Sequence, residues 1–151
     1  MFPWRTAFAL SIFAVLAGPV GAEAVREELV VTTSAGARKF QVEIADDAQE
    51  RARGLMYRRA MEKQEGMLFD FGEEGPASFW MENTYIPLDM LFIKADGTVE
   101  SIAERTTPLS RTGVPSKGPV RYVLEINGGL SDVLGIAPGD KVTGPAIETT
   151  D

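Results

Sequence analysis

Val120-Arg121-Tyr122-Val123-Leu124-Glu125-Ile126 is the stretch whose reading decides the fold. Val120, Tyr122, Leu124 and Ile126 fall on one face of an extended chain, with Arg121, Val123 and Glu125 on the other. That period of two belongs to a β-strand, whose successive side chains point to opposite faces. The same period recurs on both sides. In Arg38–Ala45, Phe40, Val42 and Ile44 share a face. In Gly66–Phe71, Met67, Phe69 and Phe71 do so. In Ala77–Glu82, Phe79 and Met81 oppose Ser78, Trp80 and Glu82. Asp89–Lys94 and Thr98–Arg105 flank Asp96-Gly97, a good hairpin turn, and Asp140–Ile147 reads as the last strand. Helix is scarce. Asp47 with Glu50 three residues later forms a capping box and Gly54 a stop, which predicts a short helix over Ala48–Arg53. Ser131–Leu134 suits one turn of another, and the Pro- and Gly-rich stretch Thr107–Pro119 reads as a long exposed loop. The expected fold class is mainly β, a sandwich or small barrel with one short helix, in a single domain over residues 25–148.

The N-terminus reads differently. Arg5 precedes an apolar run from Ala7 to Ala17, Gly18 and Pro19 break it, and the small residues Gly21, Ala22 and Ala24 follow. This is the pattern of a secretory signal peptide over residues 1–22, with cleavage after Ala22 or Ala24. The run is shorter than the roughly 20 residues needed to span a bilayer. An exported protein is expected, periplasmic or extracellular, with no membrane association after cleavage.

Composition closes several classes of chemistry. The 151-residue chain contains no Cys and no His. Disulfides, thiol nucleophiles, Ser-His-Asp triads and ordinary zinc sites are therefore excluded. A net charge of −7 opposes binding to nucleic acid and to anionic membranes. No cofactor is expected.

Several blocks carry a resemblance. They are Arg53-Gly54-Leu55-Met56-Tyr57-Arg58, Gly66-Met67-Leu68-Phe69-Asp70-Phe71, Phe79-Trp80-Met81-Glu82-Asn83-Thr84, and Ile86-Pro87-Leu88-Asp89-Met90. The tail adds Tyr122-Val123-Leu124-Glu125, Gly128-Gly129 and Gly135-Ile136 followed by Gly139-Asp140. Together, over about residues 38–146, these resemble the prokaryotic "domain of unknown function 192" family. The resemblance implies a compact, mainly β fold of jelly-roll-like or barrel-like type, often behind a signal peptide, and implies no activity. The family usually has Lys after the Trp-Met pair, where this chain has Glu82.

Three functions remain, and the first is favoured: a non-catalytic module that binds a ligand or partner. If Phe79 and Met81 fill the core, Trp80 faces solvent or a groove. An exposed indole beside amide and carboxylate groups suits a glycan or another small polar ligand with a flat face. The candidate ligand-binding residues are Trp80, Asn83, Asp89, Arg53 and Glu125. The alternative places Trp80 under the long loop or the short helix, in a second small core. The second function is soft-metal (copper) binding by Met56, Met61, Met67, Met81 and Met90, because thioethers select Cu(I). The third is a carboxylate-based hydrolase built from a facing pair among Asp70, Glu82, Asp89 and Glu125.

Overall fold

The computed structural model describes residues 25–147, so the expected signal peptide lies outside the described residues. Nine strands and two short helices follow one another. They are β1 (Arg26–Thr33), β2 (Gly36–Ala45), α1 (Ala48–Arg53), β3 (Glu65–Gly75), β4 (Ser78–Phe79) and β5 (Leu88–Ile93), then β6 (Val99–Ala103), β7 (Val114–Pro115), β8 (Val120–Asn127), α2 (Leu130–Leu134) and β9 (Lys141–Thr143). The protein is mainly β, as its alternating segments require. No helix among the described residues is long and apolar enough to cross a membrane.

Seven strands form one sheet in the order β6-β5-β8-β3-β2-β1-β9, curled into a half-barrel, and β4 pairs with β7 beside it. Neighbouring strands of the sheet run antiparallel except β2 and β3, which are parallel and joined through α1. A parallel pair needs a crossover, and here it runs through α1 and the segment after it.

The central strands are buried on both faces. One core gathers Leu29, Phe40, Val42, Leu68, Tyr122 and Leu124 with their neighbours. The other gathers Leu55, Phe69, Met81, Met90, Phe92 and Val123. With both faces covered, all six residues of β5 are buried. Each large side chain removed from water stabilises the fold by roughly 1.5–3 kcal/mol.

Local chemistry sets the ends of α1 as expected. The Asp47 side chain accepts from the Glu50 N–H at 2.8 Å, and Gly54, at φ 47°, donates its own N–H to the Glu50 carbonyl. A Cβ on Gly54 would stand 3.1 Å from the Phe69 ring, so glycine also lets the helix end settle on the second core.

Two expectations need correction. The strand expected over Ala77–Glu82 is only Ser78–Phe79, with Trp80 in the segment that follows. The loop Thr107–Pro119 contains β7, which pairs with β4.

Candidate functional site

The second core does not close completely. Where α1 ends, the chain turns at Gly54 and buries Leu55. Opposite, Phe79 on β4 stands edge-on to Phe69 and Phe71, with ring centroids at 5.0 and 6.0 Å. Between these walls lies a cavity of about 230 Å³. Phe71, Phe79, Trp80, Arg53, Leu55 and Glu125 are among the residues that line it; Trp80 and Arg53 are exposed at its mouth, and the buried Glu125 forms its floor.

Glu125 is the chemically unusual member. It sits in β8 between Met67 of β3 and Met90 of β5, its cross-strand neighbours. It is only 4% exposed. Among the described residues, no hydrogen bond or ion pair reaches its carboxyl group. Burial alone pushes its pKa up to about 8. At neutral pH the floor of the cavity is therefore mostly a protonated acid, able to donate a hydrogen bond.

Trp80 is 51% exposed, the arrangement that the alternation of Ala77–Glu82 implied. Arg53 is exposed at the mouth and makes no ion pair or hydrogen bond with the described residues. Arg51 is committed: it donates to the carbonyls of Asp46 and Asp70, and its guanidinium lies 5.7 Å over the Phe71 ring. The structure thus brings Trp80, Arg53 and Glu125 to one cavity.

The other two candidates do different work. Asn83, at φ 55°, accepts from the Tyr57 N–H through its carbonyl, and its side-chain amide faces the Met56 sulfur at 4.0 Å. It fixes the turn beside the cavity and does not line it. Asp89 is fully buried and lies elsewhere. Its carboxylate accepts from the N–H groups of Arg105, Gly129 and Ser131 and from the Ser131 hydroxyl. It thereby caps the start of α2 from β5, which leaves it no room for a ligand.

The remaining carboxylates are paired. Asp70 forms a two-point pair with Arg121, and Glu82 pairs with Arg111. No second free carboxylate faces Glu125 across the cavity among the residues that line it. The methionines are mostly core: Met67, Met81 and Met90 belong to the second cluster, and the Met81 sulfur accepts from the Thr106 hydroxyl. Beyond Arg53, Gly54 and Met56 lies a more polar hollow of about 570 Å³. The Arg58–Glu43 pair that lines it is already satisfied, at 2.7 and 2.5 Å.

Leu55, Phe71 and Phe79 also line the cavity, and no motif assigns them to a site. Phe71 and Phe79 were visible in their alternating segments, but nothing local says that the two rings meet.

The family model DUF192, described as Uncharacterized ACR, matches residues 30–144. Comparison with curated proteins gives no match. Similar solved structures include two crystal structures. One, from Sinorhizobium meliloti 1021 and described as a candidate transcription regulator, is 46% identical. The match covers 82% of this chain and 97% of that one, with a TM-score of 0.79. The other, a protein of unknown function from Novosphingobium aromaticivorans DSM 12444, is 43% identical. That match covers 83% of this chain and 89% of the other, with a TM-score of 0.78.

Proposed function

The chain belongs to the DUF192 family, and from that premise and its cavity we propose that it is a non-catalytic module that binds a small organic ligand. The ligand stacks a flat face on Trp80 and meets Glu125 at the floor and Arg53 at the mouth. One observation carries this reading: Glu125 is 4% exposed, lines an aromatic-walled cavity and has no hydrogen-bond or ion-pair partner among the described residues. Its carboxyl oxygens face the cavity rather than a protein partner, so a ligand there can supply the hydrogen bond or charge that the fold does not. Hydrolysis by a carboxylate pair is disfavoured, since the lining offers only one such group. A net charge of −7 repels the nucleic-acid backbone, which disfavours for this chain the transcription-regulator description carried by the Sinorhizobium relative.

Soft-metal binding is the second reading, favoured by the row Met67–Glu125–Met90 across three strands. One screen separates the two. The protein is titrated with Ag(I) and with a panel of glycans and small aromatic fragments, and its thermal midpoint and amide NMR shifts are followed. Fragment or glycan binding that shifts Arg53, Trp80 and Glu125 supports the organic ligand. Stabilisation by Ag(I) alone supports the metal. No response at these residues overturns both. Export belongs to the same proposal, supported by Arg5, the Ala7–Ala17 run and the small residues after it. A secreted form whose intact mass begins at Glu23 or Val25 is expected; an uncleaved membrane-bound chain overturns it.

A further inference from the structure

We propose that the cavity takes an amphoteric amine, with its ammonium group on Glu125 at the floor and its anionic group on Arg53 at the mouth. The inference rests on the cavity being a binding site and adds the chemistry of what enters it. Of the three charged residues that line the cavity, Arg51 is committed, whereas Glu125, an acid, and Arg53, a cation, have no hydrogen-bond or ion-pair partner among the described residues. A molecule of one charge sign satisfies only one of them.

The walls decide which end goes in. Phe71, Phe79 and Trp80 line the approach to Glu125, and aromatic faces carry negative potential that favours cations. One of these rings already holds a cation, since the Arg51 guanidinium lies over Phe71. An ammonium also brings the charge that a desolvated carboxylate needs, together with three N–H donors. A hydroxyl brings only a hydrogen bond. Around Glu125, β3 presents Met67 and β5 presents Met90, neither of which is ionisable. Among the described residues, the other charged residues lining the cavity are Arg51 and Arg53 of α1.

Proton accounting gives the inference a signature. Burial keeps the unliganded carboxyl mostly protonated at pH 7. Forming an ionised pair then releases about 0.9 proton to the buffer. Affinity should rise about tenfold from pH 6 to pH 7 and level off above pH 8.

The test is calorimetric titration of the protein with 4-(aminomethyl)benzoate, in buffers of different ionisation heat. The comparators are 4-(hydroxymethyl)benzoate, which lacks the amine, and benzylamine, which lacks the carboxylate. The amphoteric probe should bind with proton release, and each comparator at least tenfold more weakly. Glu125→Gln should lose at least tenfold in affinity together with the proton release. Arg53→Gln should lose affinity several-fold and keep the proton release. Unfolding midpoints at pH 5 establish that both variants fold. Equal binding of the alcohol, with no proton release, overturns the amine while leaving the cavity a binding site. Failure of the amphoteric probe while glycans or other fragments bind has the same meaning. Failure of every compound overturns the binding-site reading as well.

Discussion

Glu125→Gln separates a desolvated acid from a silent one. In the unfolded chain this carboxyl ionises near 4.5, and in the folded protein near about 8. Between those values the unfolded state gives up its proton and the folded state keeps it, so rising pH favours unfolding. The stability is fully present below pH 4.5 and is lost as pH climbs to about 8. The slope is about 1.4 kcal/mol per pH unit, which amounts to about 3 kcal/mol by pH 7 and about 5 kcal/mol at the plateau. Glutamine has nearly the same shape and no proton to lose, so any packing offset between the two proteins does not change with pH. The assay is urea unfolding of both proteins at closely spaced pH values from 4 to 9, read as the difference in ΔG. That difference should stay level up to pH 4.5, move about 3 kcal/mol in favour of the variant by pH 7, and flatten above pH 8. A difference independent of pH refutes the reasoning, because it means that the carboxylate is ionised and compensated in the folded protein.

Four further outcomes follow from the contacts. Trp80→Ala should cost less than about 1 kcal/mol, because the ring is half exposed, whereas a buried Trp costs about 3–5 kcal/mol; chemical denaturation decides between the two. Asp89→Asn should cost about 3–5 kcal/mol, since it turns an amide toward the N–H groups of Arg105, Gly129 and Ser131; a loss under 1 kcal/mol in urea unfolding would remove its capping role. Gly97→Ala should depress the thermal midpoint sharply: Gly97 has φ 84°, and its new Cβ would stand 2.3 Å from the Val142 carbonyl oxygen. Glu43→Gln should act with the opposite pH sense to Glu125. The hydrogen bonds and charge of Arg58, with help from Arg26, hold the Glu43 carboxyl below its ordinary 4.5. The stability it adds is present above pH 4.5 and lost as pH falls, so the deficit of the variant should shrink in acid.

What the sequence made legible was local. Asp47, Glu50 and Gly54 mark both ends of α1 because capping is settled within a few residues. The central strands announce themselves because period two survives wherever both faces pack. Failures begin where distant segments intervene. Val120 shares its alternation with Tyr122, yet it joins the second core, because the register between β3 and β8 shifts between Asp70 and Gly75. β1 was not anticipated: it opens on Arg26, Glu27 and Glu28, which mask the later alternation of Leu29, Val31 and Thr33. The parallel pairing of β2 with β3 has no signature in either strand. At the site, Trp80 is exposed as the alternation implied, although the strand ends at Phe79 before reaching it. Its place beside the same cavity as Glu125 follows a β4–β7 pairing that no short stretch encodes.

The same limit explains why Asp89 and Glu125 looked equivalent. Each is an acidic residue between apolar neighbours, Leu88 and Met90 for one, Leu124 and Ile126 for the other. Each is buried once folded. Their surroundings separate them. Asp89 lies against the start of α2, where unpaired N–H groups and the Ser131 hydroxyl wait for an acceptor, so the fold itself accounts for a carboxylate there. Glu125 lies between two thioethers that offer it nothing, beneath a cavity, at a cost of about 3 kcal/mol at pH 7. An apolar side chain at that place would continue the packing of Val123, Met67 and Met90 without that cost. Folding explains the first carboxylate and not the second. Under the proposed function, the ligand that enters the cavity accounts for the second.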